Sequence, residues 1–233
     1  MITVSLEDGK YRYERKFVIT ELTKYDVESI VRFHPAMFSE IHHQRFVNNI
    51  YFDTSHLSNY HDNIDGKHQR IKIRIRWYDT LFGTIRDPVL ELKIKHGFLG
   101  RKKSFSLNAF ELNQCFNAQA ALKVIEKASL PEVIKLQLRS VYPTLLNSYK
   151  RRYFESADRN YRITMDTDQT FYRLNHQHNP FLHRLADDHQ IILELKYNSD
   201  MDSRAEEIAA HLPFRLSRSS KYVTGLQKLY FGS

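Results

Sequence analysis

Residues 70–77 read Arg-Ile-Lys-Ile-Arg-Ile-Arg-Trp. On an extended strand successive side chains point to opposite faces, so Arg70, Lys72, Arg74 and Arg76 share one face and Ile71, Ile73, Ile75 and Trp77 the other. Stacked cations repel by roughly 1 kcal/mol per pair at about 4 Å in water, and by more in a less polar cleft. The pattern recurs in Glu91, Lys93 and Lys95 against Leu90, Leu92 and Ile94, and in Glu194 and Lys196 against Leu193, Leu195 and Tyr197. Arg162, Thr164, Asp166 and Asp168 likewise oppose Tyr161, Ile163 and Met165, and Arg12, Glu14 and Lys16 oppose Tyr11, Tyr13 and Phe17. An ordinary half-exposed sheet, apolar inside and charged outside, accounts for any one of these strands. Taken together, faces built from Arg and Lys rather than Ser, Thr and Gln fit a lumen that converges on a polyanion. Guanidinium forks grip phosphate oxygens in pairs, and ammonium groups supply compact charge.

The elements that must position these faces are mainly strands. Residues 11–19, 45–53, 69–78, 89–95, 101–107, 147–155, 161–171 and 190–197 are rich in Ile, Val, Tyr and Phe and mostly alternate. Helical spacing falls at 21–33, in two or three helices over 109–140 broken by Pro131, and at 203–211 and 219–230. Strands not separated by regular helices predict an α+β fold, a largely antiparallel sheet with helices packed outside it. If antiparallel strands of that sheet are closed into a tunnel, a β-barrel, the charged faces line its lumen. Few Gly and Pro and no low-complexity stretch predict one domain over 1–233. Lys and Arg number 35 against 27 Asp and Glu, a net charge of +8, which predicts a polyanionic partner.

Cys115 is the single cysteine, which excludes an internal disulfide framework and a Cys-rich zinc site and fits a reducing, cytoplasmic setting. It is expected in a helix beside Phe116, as core. No apolar run is long enough to predict a transmembrane segment. Histidines such as His42, His43, His56, His61, His176 and His178 have no matching carboxylate or cysteine frame and read as solvated loop residues. Tyr51, Phe52, Tyr60 and Trp77 read as packing rather than base-stacking groups, so no specific nucleic-acid partner is expected.

Eight short blocks in order carry a resemblance. Tyr13-Glu14-Arg15-Lys16-Phe17, Tyr51-Phe52-Asp53-Thr54 and Arg74-Ile75-Arg76-Trp77-Tyr78 are followed by Leu90-Glu91-Leu92-Lys93, Tyr149-Lys150-Arg151 and Arg162-Ile163-Thr164-Met165-Asp166. Leu193-Glu194-Leu195-Lys196-Tyr197 and Ser220-Lys221-Tyr222 complete the set. In this order they resemble the vacuolar transporter chaperone (VTC) domain, a branch of the triphosphate tunnel metalloenzymes, or CYTH-like superfamily. The resemblance implies a tunnel lined by Lys, Arg and Glu that binds triphosphate with Mg²⁺ or Mn²⁺. It further implies a polyphosphate polymerase, moving the γ-phosphoryl group of ATP onto a polyphosphate chain. Hydrolysis of a triphosphate, or polyphosphate binding without chemistry, are the alternatives.

By motif, Lys16, Arg74, Arg76, Lys93, Arg151, Arg162 and Lys221 match the family's phosphate-binding and catalytic cations, and Glu194 matches its metal-binding glutamate. Lys102 falls on the lumen face if the strand keeps phase, and Lys103 if it slips by one residue. Glu14 and Glu91 are weaker metal candidates, each expected to pair with Lys93 or Lys16. Asp166 is either a ligand or a group that orients Arg162. Only Glu14 and Lys16 fit the last two positions of the ExExK signature found in other branches, with Arg12 at the first, which favours the VTC branch. The chain offers no room for a phosphate-sensing domain or membrane helices, so any membrane association is expected to run through a partner protein.

Overall fold

The computed structural model describes residues 12–96 and 99–232. The chain runs β1 (Arg12–Ile19), α1 (Lys24–Arg32), β2 (Ser39–Asp53), α2 (Ser58–Ile64), β3 (Gln69–Tyr78), β4 (Gly83–Ile85), β5 (Val89–His96) and β6 (Leu99–Ser106). It continues β7 (Phe110–Leu112), α3 (Ala118–Glu126), α4 (Glu132–Leu138), β8 (Tyr142–Glu155), β9 (Tyr161–Arg173), β10 (Arg184–Asp187), β11 (Ile191–Asn198), α5 (Asp202–Ala210) and α6 (Lys221–Leu226). Local chemistry marks the helix starts. Thr23 and Asp26 form a reciprocal capping box on α1, while Asn117 and Ser220 cap α3 and α6.

The main sheet is antiparallel in the order β1-β11-β9-β8-β2-β3-β5-β6, with β10 added to β9 and a separate β4–β7 pair. This is the expected α+β architecture, but the expected barrel closure is not seen in the strand pairing. Among the described residues β1 and β6 stand at opposite ends of the hydrogen-bonded path. Lys102 and Lys103 on the β6 edge are the kind of charges that discourage edge pairing. The sheet curls instead. Register shifts between β2 and β8, between Glu40 and His42, His42 and Arg45, and Tyr51 and Phe52, strengthen its twist. Lys93 on β5 thereby reaches Glu14 on β1, with Nζ 2.9 Å from Oε2.

The apolar faces turn outward and are covered by helices. Ile73, Ile75, Trp77, Leu90 and Leu92 pack under Ala121 and Ile125 of α3 and Ile134 and Leu138 of α4. Phe17, Ile163, Leu193 and Leu195 pack under Val27 and Val31 of α1 and Ala205 and Ile208 of α5. Burial of each large side chain contributes about 1.5–3 kcal/mol, enough to hold the cations on the opposite face together. At one end the inner face itself becomes apolar, and there Tyr222 and Leu226 of α6 pack on Tyr51, Leu145 and Phe171.

Several elements depart from expectation. β2 and β8 begin earlier, at Ser39 and Tyr142, because backbone pairing extends them through polar positions such as His42 that carry no apolar alternation. The stretch expected as two or three helices holds α3 and α4, divided at Pro131, after a short strand, β7. Cys115 is exposed in a turn rather than core, and its neighbour Phe116 is the buried residue. α2 and the three short strands β4, β7 and β10 have no distinct sequence signal. Among the described residues no helix is long and apolar enough to cross a membrane.

Candidate functional site

β3, β5, β8, β9, β11 and β1 present their charged faces to one another, and ion pairs knit the concavity. Arg74 donates to Glu91 from Nε at 2.7 Å and Nη2 at 2.5 Å, Lys102 donates to the other oxygen of Glu91 at 2.9 Å, and Arg76 Nη1 lies 3.7 Å away. Lys102, not Lys103, is therefore the residue that faces the site. Arg151 grips Asp166 as a fork, at 2.5 Å and 2.7 Å, and Lys221 donates to the same carboxylate at 2.6 Å. Glu194 sits between Lys16 at 2.8 Å and Lys196 at 2.9 Å, with Arg151 Nη2 3.8 Å off.

Seven of the expected cations thus enter ion pairs on this face, in three groups: Lys16, Arg151 and Lys221 around Glu194 and Asp166, Arg74, Arg76 and Lys102 around Glu91, and Lys93 on Glu14. Arg162 does not. Its side chain is 59% exposed at the start of β9 and pairs with Glu155 at 2.9 Å. Asp166 orients Arg151 and Lys221 rather than Arg162, and Glu91 pairs with Arg74 and Lys102 rather than with Lys93 or Lys16.

Electrostatics follow from this crowding. Burial raises the cost of charge on Glu194, but Lys16, Lys196 and Arg151 outweigh it and hold the carboxyl well below its usual range. Asp166 is lowered in the same way by Arg151 and Lys221. Lys72 behaves oppositely. Burial first, then Lys16, Lys93, Lys95 and Arg74, push its ammonium well below the ordinary lysine range, and it donates to Ser220 Oγ at 2.7 Å. Lys95 is lowered by burial, Lys93 and Arg70, and Arg70 Nε is buried without a hydrogen-bond partner. Among the described residues Arg70, Lys72 and Lys95 have no carboxylate partner.

The sequence reading did not single out several residues that the fold adds. Tyr149 lies under the site, its hydroxyl accepting from Arg76 Nη2 at 3.3 Å while Lys221 Nζ and Arg151 stand 4.6 Å and 5.2 Å from its ring centre. Asn49 accepts from Arg76 Nε at 2.9 Å. Asp53 anchors the end of the site: its carboxylate accepts from the backbone N–H groups of Thr54, Asn59 and Tyr60 and from the Tyr222 hydroxyl, which ties β2, α2 and α6 together. Alternation with Arg151 was a readable signal for Tyr149. The Asp53 role had none, because its partners come from three separate segments.

A family comparison decides the assignment. The VTC domain model matches residues 11–230. The chain belongs to the VTC domain family. No curated protein matches it in sequence. Among solved structures, this VTC domain is similar to a candidate adenylate cyclase from Vibrio parahaemolyticus, with a TM-score of 0.55 at 12% identity over 93% of this chain and 99% of that one. A candidate adenylate cyclase from Bacillus halodurans gives 0.54 at 14% identity, over 95% and 98%. A candidate adenylyl cyclase from Hippeastrum, described as having a dominant triphosphatase activity, gives 0.50 at 12% identity, over 92% and 94%. At such identities these likenesses establish the fold alone. The three proteins share the fold of this VTC domain over nearly its whole length.

The donor set also bears on metal. Among the described residues no group of three or more His, Cys, Asp or Glu forms a protein-only cage. Glu194 is ionised and inward-facing, which suits a hard cation held by one carboxylate and completed by phosphate oxygens.

Proposed function

We propose that this VTC domain is a divalent-metal-dependent phosphoryltransferase that moves the γ-phosphoryl group of ATP onto a polyphosphate chain inside a basic tunnel. One observation carries the reading. Cations outnumber carboxylates on the concave face, and Arg70, Lys72 and Lys95 lack any carboxylate partner among the described residues, so the face is organised for a multivalent anion. Phosphoryl transfer needs positioning and charge stabilisation more than covalent help from protein. Arg74, Arg76 and Arg151 are assigned to grip phosphate oxygens with their planar forks. Lys16, Lys93, Lys102 and Lys221 neutralise the remaining charge, and Arg162 meets phosphate at the exposed strand end. Asp166 holds Arg151 and Lys221 in place. Glu194 is the assigned ligand for Mg²⁺ or Mn²⁺, which when bound would share phosphate oxygens and offset their charge.

A second reading, hydrolysis of the triphosphate with water as acceptor, is favoured by the activity described for the Hippeastrum neighbour. Product analysis separates the two. Protein incubated with ATP and Mg²⁺ or Mn²⁺ is expected to form acid-labile long-chain phosphate, and Glu194→Gln to abolish it. Release of free phosphate alone establishes the hydrolase, and absence of both products ends the enzymatic reading.

A further inference from the structure

Beyond Arg151 the charged face ends in an aromatic ledge that phosphate chemistry does not use. Arg45 on β2 is in register with Arg151 on β8. Its guanidinium lies 4.2 Å from the ring centre of Tyr78 and 5.0 Å from that of Tyr153, and Nε donates to the Tyr153 hydroxyl at 3.3 Å. The His42 ring meets Tyr153 edge-on at 5.6 Å. Two features set this group apart from packing. Tyr78 is 40% exposed, and neither tyrosine belongs to the apolar clusters that hold the sheet to its helices. Arg45 has no carboxylate partner among the described residues, so stacking rather than ion pairing fixes its plane.

We propose that Tyr78, Arg45 and Tyr153 form the stacking platform for the nucleobase of a nucleoside triphosphate. The inference rests on the triphosphate reading above and deepens it by assigning the residues that would hold the base of the nucleotide donor. Tyr153 and Arg151 are two residues apart along β8, about 7 Å. The Arg151 guanidinium lies 5.9 Å from the Tyr153 ring, so the ledge adjoins the phosphate-gripping group directly. A base laid on the ledge therefore directs its phosphates inward to Arg151 and Arg76. Tyrosine rings and guanidinium planes both stack on bases, and purines gain most because their π-face is largest. A ledge of ring and guanidinium planes grades bases chiefly by stacking area rather than reading one base.

Calorimetric binding of ATP, UTP and inorganic tripolyphosphate to the wild-type chain and to Tyr78→Ala, Tyr153→Ala and Tyr153→Phe tests this. The wild type is expected to bind ATP several-fold more tightly than UTP. Either Ala variant is expected to lose roughly 5- to 100-fold in ATP affinity, with tripolyphosphate affinity unchanged and Tyr153→Phe close to wild type. Equal wild-type affinity for ATP and UTP overturns the platform, and that comparison needs no variant to fold. Equal weakening of ATP and tripolyphosphate in the Ala variants also overturns it. Tyr-dependent ATP binding without tripolyphosphate binding keeps the platform and removes the triphosphate reading, whereas binding of neither removes both.

Discussion

Lys93 Nζ lies 2.9 Å from Glu14 Oε2, joining β5 to β1 although five strands separate them along the sheet. This ion pair, not a backbone ladder, spans the concavity of the curled sheet from its β1 end to β5, the neighbour of the β6 edge. Burial opposes ionisation of Glu14, but Lys93, Lys16 and Lys196 hold its carboxyl down to about 2 from an ordinary 4.5. A carboxyl lowered in the folded state adds stability above its unfolded value, and loses it as pH falls through the folded one. Wild-type stability is therefore expected to decline between about pH 4.5 and 2 more steeply than that of Glu14→Gln. Denaturant melts across that range check this, and parallel curves would remove the pair from any part in holding the fold.

Glu91 occupies the forks that are assigned to phosphate. Glu91→Gln is expected to tighten tripolyphosphate binding several-fold, because Arg74 and Lys102 no longer answer a competing anion. The free protein should lose about 3 kcal/mol, since removing one partner leaves buried cations uncompensated. Arg74→Lys should weaken binding because the fork is lost. Calorimetry and thermal melts on the same samples measure both effects, and weaker anion binding by Glu91→Gln would show that Glu91 positions Arg74 for phosphate rather than competing with it.

Lys72 is set among Lys16, Lys93, Lys95 and Arg74 and donates to Ser220 Oγ. Its folded pKa lies below the unfolded one, so the folded state binds fewer protons between the two and stability rises with pH across that interval. An anion beside it restores the ammonium. Tripolyphosphate binding should therefore take up protons, visible as heats that differ between buffers of different ionisation enthalpy. Lys72→Met should reduce the difference, and identical heats in both buffers for the wild type would contradict the assignment.

Gly225 lets α6 approach the inner face. A Cβ there would stand 2.6 Å from Leu145 Cδ2 and 2.6 Å from Phe171 Cδ1. Gly225→Ala is expected to cost about 1–3 kcal/mol by overpacking and, by lifting α6, to draw Lys221 from Asp166 and weaken tripolyphosphate binding. Adding Leu145→Ala should recover part of both. Unchanged anion binding in a destabilised Gly225→Ala chain would show that Lys221 is held independently of helix seating.

Adjacent residues on β3 test the face assignment itself. Ile73 is buried under the outer helices, whereas Arg74 faces the ion-pair network. Ile73→Asp should prevent folding, because a carboxylate there has no partner. Arg74→Ala should leave the fold intact and lose anion affinity. Circular dichroism and tripolyphosphate binding distinguish the two, and the reverse outcome would invert inside and outside.

The faces were legible in the sequence because strand geometry is local: a period of two divides Arg70 to Trp77 into cations and apolar groups without knowledge of any neighbour. The α+β class, the break at Pro131 and the membership of Lys16, Arg74, Arg76, Lys93, Arg151 and Glu194 in charged faces followed from that rule and from the ordered blocks of residues. Partner choice was not legible. Asp166 meets Arg151 and Lys221 through the register of β8 and β9 and the seating of α6, while Arg162 falls at a strand end beside Glu155. Neither the curl that unites Glu14 with Lys93 nor the meeting of Arg45, Tyr78 and Tyr153 can be read from any one strand. Alternation assigns each side chain to a face, whereas the distance between two faces depends on twist, bulges and helix packing summed over the whole sheet.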